Sequence, residues 1–206
     1  MIPAENGIAC RTAGYSESLV RVHARRLLCA AGLAWHCTGL AVPAAVEVIR
    51  HGDVFEVQAS ADIEADRLRA WEVLTDYDRL AQFIPGMTSS RVISRDGNTV
   101  IVEQNGEATL LFFRFPMQVR LAIEEYPQDR IESRAVAGNF KALQGTYFLE
   151  THGALLRLRY AGQFTPDFNV PPLIGTYLVR NILRKRFLAM VEEILKFGSP
   201  SPGRQQ

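Results

Sequence analysis

Cysteine is nearly missing from this 206-residue chain, and the three that occur, Cys10, Cys29 and Cys37, all precede residue 41. From Ala41 to Gln206 there is therefore no disulfide, no thiolate nucleophile and no cysteine metal ligand. Histidine is sparse too: His23, His36, His51 and His152 include no pair at metal-ligand spacing, so no metal site is expected. Charge of one sign is lacking, because 23 Lys and Arg against 22 Asp and Glu leave +1. So small a balance gives no global field for nucleic acid or an anionic substrate, and a charge-based partner needs a local patch. The chain also lacks a GxSxG elbow, a phosphate loop, a dinucleotide fingerprint and a nucleophile–base pair, so no cofactor is expected. An enzyme built on this chain would have to act by shaping and protonating a bound molecule.

What is present is a globular composition, 48% hydrophobic and 22% charged, at a length suited to one domain plus an extension. The extension comes first. From His23 the chain reads HARRLLCAAGLAWHCTGLAVPAAVEV, in which a basic start, an apolar run and small residues follow one another as in a secretory signal peptide. Val42 and Ala44 fill the small-residue positions before a cut ahead of Ala45, and a translation start at Val20 or Val22 would give a leader of ordinary length. Residues 1–50 are therefore expected to be a leader and the protein to be exported, periplasmic or membrane-associated; the alternative is a cytoplasmic protein with a loose N-terminal extension. The apolar run is too short and too polar to cross a membrane as a helix.

The main domain is expected over 51–198, with 199–206 a disordered tail. From Asp53 the residues DVFEVQASADI alternate with period two, which predicts a half-buried strand. In ADRLRAWEVLTDYDRLAQFIPGM helical spacing predicts one helix to about Leu74 and a shorter one from Tyr77 or Asp78 to Phe83, ended by Pro85-Gly86. Strands then follow one another. Asp96-Gly97 predicts a hairpin, Pro127 to Arg130 and His152-Gly153 predict turns, and Asn105-Gly106 is either a turn or a bulge. After Pro171-Pro172 a long helix runs to Gly198, with Ile174, Tyr177, Leu178, Ile182, Phe187, Val191, Ile194 and Leu195 on its apolar stripe. Strands segregated from helices make the class α+β.

The order of elements, together with AWEVLTDYDRLAQFIPGM after the first strand and GNFKALQGTYFLE late in the sheet, resembles the START-like (SRPBCC) helix-grip superfamily. Within it the likeness is to the polyketide cyclase/dehydrase and coenzyme-Q-binding START group. The matching motif residues are Gly138, Asn139, Phe140, Lys141, Gly145 and Tyr147, the last standing where a tryptophan is common. The resemblance implies a curved antiparallel sheet of about six to seven strands wrapped on the closing helix, a β-hairpin where Phe113 to Pro116 stand, and Asn105-Gly106 as a bulge. It also implies an elongated apolar cavity for a lipid-like or polycyclic molecule.

The aromatic candidates for the cavity wall are Tyr77, Phe83, Phe112, Phe113, Phe140, Tyr147, Phe164 and Tyr177, with Leu178 beside them; ordinary core packing is the alternative for each. Glu107 and Arg114 are the polar cavity candidates, whereas Glu103 and Arg120 read as a charge ladder on the outer face. Arg184, Lys185 and Arg186 could meet an anionic membrane surface or simply be solvated. The function expected is non-covalent binding, transport or chaperoning of a hydrophobic small molecule such as a quinone or another lipid. The alternatives are a cyclase, aromatase or dehydratase on a polyketide-like precursor, and a protein-interaction module that holds no ligand.

Overall fold

The computed structural model describes residues 44–110, 113–168, 170 and 174–198. The leader up to residue 43, Phe112, the Pro171-Pro172 helix start and the tail from residue 199 lie outside the described residues. Eight strands form one antiparallel sheet: β1 (Ala44–His51), β2 (Val54–Ile63), β3 (Met87–Asp96), β4 (Thr99–Leu110), β5 (Phe113–Tyr126), β6 (Arg130–Gly138), β7 (Phe140–His152) and β8 (Leu155–Pro166). Between β2 and β3 lie α1 (Arg67–Thr75), a 3-10 turn (Tyr77–Arg79) and α2 (Leu80–Phe83), and α3 (Gly175–Gly198) closes the chain. The sheet order is β1-β2-β8-β7-β6-β5-β4-β3, an α+β helix-grip arrangement in which the first hairpin joins the last strand of the meander.

One strand more is present than the motifs suggested. It is β1, in the stretch assigned to the leader, and it pairs with β2 along its whole length from Ala44↔Ala61 to His51↔Val54. Val48 is buried at 2% exposure, so β1 is an integral sheet edge rather than a linker.

Local chemistry explains most boundaries. Asp66 caps α1 by accepting from the backbone amides of Leu68 at 2.7 Å and Arg69 at 3.3 Å, and the helix buries Ala70, Val73 and Leu74 against the core. Gly97 and Gly153 take positive φ at the two expected hairpins. The strand through Asn105-Gly106 is continuous, and the irregularity falls opposite it on β3, between Met87 and Ser89. Gly106 is needed for a close approach: the Gly86 carbonyl occupies the space of any side chain there and accepts from the Glu107 amide at 2.7 Å.

One expectation is corrected. The β4–β5 hairpin does not fall at Phe113 to Pro116; those residues are already paired within β5, from Leu110↔Phe113 to Glu107↔Pro116. Pro116 is tolerated because β6 pairs with β5 only from Val119↔Gly138 onward, so the missing N–H faces no partner strand. The side chain of Asn139 covers that flank, donating to the Pro116 carbonyl and accepting from the Gln118 amide. Gly138, at φ +124, marks the one-residue link between β6 and β7, whereas Gly145 sits mid-strand, paired with Ser133 and Gly162.

Candidate functional site

The concave face of the sheet and the inner face of α3 enclose a cavity of about 290 Å³. This lies near the lower end of small-molecule sites. Ala59, Val119, Leu121, Ile123 and Leu143 form its sheet wall, and Leu74, Tyr77, Leu80 and Ile84 close it from the side of α1 and α2. Phe140, Tyr147, Tyr160 and Phe164 make an aromatic flank, while Val179, Ile182, Leu183, Phe187 and Met190 come from α3. A second groove, about 470 Å³, crosses the outer face between Glu56, Gln58, Glu132, Arg134 and Gln144; it is open and polar, without a comparable apolar wall.

Of the expected wall residues, Tyr77, Phe140, Tyr147 and Phe164 stand on the cavity wall. Phe83 does not: Leu80 and Ile84 share the inward face of α2 one turn apart, which turns Phe83 aside to pack on the main core. Tyr177 is 64% exposed and Leu178 is only half-buried, because the first turns of α3 face the cavity through Val179, Ile182 and Leu183; farther along, Phe187, Val191 and Ile194 of the expected stripe are buried, with Arg186 and Met190 beside them on the cavity side. Phe112 and the side chain of Phe113 lie outside the described residues.

Glu107 and Arg114 do not reach the cavity. Register along β4 and β5 is unbroken from Thr99↔Glu124 to Leu110↔Phe113, so alternation carries Glu107 to the outer face with Glu103. There it approaches Arg114 at 3.7 Å, and the Arg114 side chain is 76% exposed. Glu103 and Arg120 form the outer cross-strand pair at 2.8 Å.

The polar groups of the cavity are therefore others. Tyr77 is buried, and its hydroxyl donates to Glu125 Oε1 at 2.9 Å; that carboxylate is paired in turn with Arg95 at 2.7 Å. Burial first, and the Glu125 charge second, push the Tyr77 phenol far above its ordinary range. Its hydroxyl thus has a partner and is not waiting for a ligand.

Tyr147 and Tyr160 face each other across β7 and β8 with ring centroids 4.8 Å apart. Burial raises both phenols, Tyr160 up to about 12 and Tyr147 further, so both stay neutral and can donate a hydrogen bond into the cavity. The Tyr160 ring lies over the paired Gly145 and Gly162: a methyl at Gly145 would stand 2.7 Å from its Cζ, and one at Gly162 2.6 Å from its oxygen. This close approach is the physical reason for the second glycine of the motif. Gln104 and Ser133 complete the polar lining, Ser133 donating to the Gly145 carbonyl at 3.0 Å.

Arg186 is the one charged residue among the described lining residues, and no Asp, Glu, His, Lys or Cys joins it. It belongs to the RKR run read as surface, but its position on the inward stripe turns it away from Arg184 and Lys185, which are exposed. Its Nε–H donates to the Pro85 carbonyl at 3.1 Å, and Nη2 lies 3.8 Å from Met117 Sδ. Desolvation lowers its pKa. Among the described residues no group of His, Cys, Asp and Glu could hold a metal ion, and no helix is long and apolar enough to cross a membrane.

Comparison with known proteins gives the same architecture. The family model for polyketide cyclase/dehydrase and lipid transport matches residues 63–194. The chain belongs to this family. Its fold is similar to that of a STAR-related lipid transfer protein fragment from Xanthomonas axonopodis, with a TM-score of 0.60 at 12% identity over 76% of this chain and 94% of that one. An aromatase/cyclase from Streptomyces sp. R1128 matches with a TM-score of 0.58 at 13% identity over 70% and 93%. A START superfamily protein from Mycobacterium smegmatis does so with 0.58 at 14% over 69% and 98%. No curated protein matches the sequence. The cavity wall is thus built here from the sheet's concave face and an α3 stripe that carries a cation.

Proposed function

We propose that this family member binds a hydrophobic small molecule, a quinone or another lipid, non-covalently in the cavity and carries it. The observation that supports the reading best is the lining itself: apolar throughout, with neutral hydroxyls, one amide and one guanidinium, and no carboxylate or imidazole among its described residues. Burial of apolar ligand surface at about 25 cal/mol per Å² drives such binding, and a few polar groups orient the molecule. Ring closure or dehydration of a polyketide needs a base as well as an acid. Tyr147 and Tyr160, with raised pKa values, are donors at neutral pH and poor bases.

A cyclase or dehydratase remains the second reading, favoured by the likeness to an aromatase/cyclase and by two hydroxyls and a guanidinium that could polarise a carbonyl. Exposed Tyr177 on α3 and Ile174 just before it, with Arg184 and Lys185, support exchange of the ligand at an anionic membrane surface. The basic-apolar-small order ahead of Ala45 supports export, which N-terminal sequencing of the protein from cell fractions checks.

Transfer of a pyrene-labelled lipid and of a ubiquinone analogue between vesicles, beside incubation with a linear poly-ketone thioester, separates the two readings. Accelerated transfer with no cyclised product is expected. Cyclised product without transfer would replace carriage by catalysis.

A further inference from the structure

Among the described residues Arg186 has no counter-charge. Its hydrogen-bond partners among the described residues are a backbone carbonyl and a thioether sulfur, and no carboxylate among them lies within ion-pair distance. Arg186 is half-buried, and desolvating a charge even in part without a partner is costly. A guanidinium carries five N–H donors. The Pro85 carbonyl takes one and the Met117 sulfur is a weak acceptor for another, so others are left for the cavity. Tyr147, whose phenol lies near enough to Arg186 to feel its charge, adds a neutral hydroxyl donor to the cavity wall. The opposite walls, Ala59, Leu121, Ile123 and Leu143, offer hydrocarbon only.

We infer that the cavity is an acid-lipid site: Arg186, assisted by Tyr147, holds the anionic head group of an amphiphile whose hydrocarbon body lies along the sheet. The inference rests on the reading that the cavity binds a hydrophobic molecule and names the class of that molecule. A planar guanidinium matches a carboxylate or phosphate with two parallel hydrogen bonds. Its position beside Pro85 and Gly86, where a side-chain carbon on Gly86 would stand 3.4 Å from Nη2, puts the head group next to the loop between α2 and β3. An arriving anion competes with the Pro85 carbonyl for the same guanidinium, so occupancy and the contact from α3 to that loop are coupled.

The test is displacement of Nile red, a neutral apolar probe, by palmitate, hexadecyl phosphate and methyl palmitate, with native protein, Arg186→Met and Arg186→Lys. Native protein is expected to favour at least one of the two acids over the ester by about tenfold or more, the size of a hydrogen bond to a charged group. The acid that is favoured names the head group. Arg186→Met is expected to erase that preference while Nile red and ester binding persist, and Arg186→Lys to retain part of it. Equal displacement by acids and ester in the native protein overturns the inference while leaving the hydrophobic cavity intact, as does a preference that survives Arg186→Met. Failure to bind Nile red or any of the three lipids removes both readings. If Arg186 merely ties α3 to the loop, its loss alters stability without altering head-group preference. Should Arg186→Met not fold, the acid-to-ester comparison on native protein and on Tyr147→Phe decides.

Discussion

Replacing Gly145 with alanine tests how the tyrosine flank is built. The added methyl would stand 2.7 Å from Tyr160 Cζ and 2.8 Å from Cε2, closer than carbon atoms pack. The ring has little room to yield, since it lies over Gly162 on its own strand and against Tyr147 at 4.8 Å. Overpacking of this kind costs about 1–3 kcal/mol, offset by about 0.5–1 kcal/mol because alanine is better than glycine within a strand. A net loss of about 1–2 kcal/mol is expected in urea unfolding. The decisive comparison is a double-mutant cycle with Tyr160→Leu, which removes the ring's outer atoms. In that background Gly145→Ala should be neutral or stabilising. An unchanged penalty without the ring, or no penalty with it, would refute the steric account of the motif.

Three further outcomes follow from the same geometry. Tyr77→Phe deletes the hydroxyl that donates to Glu125 Oε1 at 2.9 Å, and a loss of about 1.5–3 kcal/mol in chemical denaturation is expected because the acceptor is charged and buried; a smaller effect than Arg95→Met would be consistent, no effect would not. Asp62 is held down to about 2 from 3.8, first by its hydrogen bonds with Arg157 and then by that charge and His152. A depressed carboxyl stabilises the fold above its ordinary pKa, and that contribution is lost as pH falls from about 3.8 through about 2. Asp62→Asn should therefore lower stability near neutral pH by the same modest, solvent-screened amount that the native protein loses through this window, so that the two proteins converge in stability towards pH 2. Ala59→Phe, on the sheet wall opposite α3, should fill the cavity and abolish Nile red binding while leaving the circular dichroism spectrum native; retained binding would place the probe elsewhere.

Much of the fold could be read from turn chemistry and period. Asp96-Gly97, Pro127 to Arg130 and His152-Gly153 carry the hairpins, and the Asp66 cap and Pro85-Gly86 bound the helical pair. β1 escaped because Ala44-Ala45-Val46, small and apolar, reads as the end of a leader; only its pairing with β2 shows those residues as a strand. Tyr160 was visible on one face with Leu156, Leu158 and Phe164, yet nothing local says that two glycines opposite let its ring lie flat. Arg186 was hidden in a basic run that reads as a solvated face. Its signal was spacing, seven residues after Val179 and four before Met190, both on the inward stripe. Tyr177 falls outside at the helix start and Arg186 inside, beside Ile182 and Phe187 of the expected stripe, which period alone does not resolve when basic and apolar residues interleave. Glu107 and Arg114 were misplaced for the opposite reason: a break in register was assumed where pairing is continuous.

The central claim is that the cavity holds a hydrophobic molecule. Native mass spectrometry of the protein purified from cells, compared with the same sample after solvent extraction and with Ala59→Phe, tests it most directly. A discrete adduct is expected in the native protein, released by the solvent, recovered as a lipid-soluble acid and missing from the filled variant. Native protein that carries no adduct and takes up none from lipid vesicles, giving the same spectrum as Ala59→Phe, would contradict it.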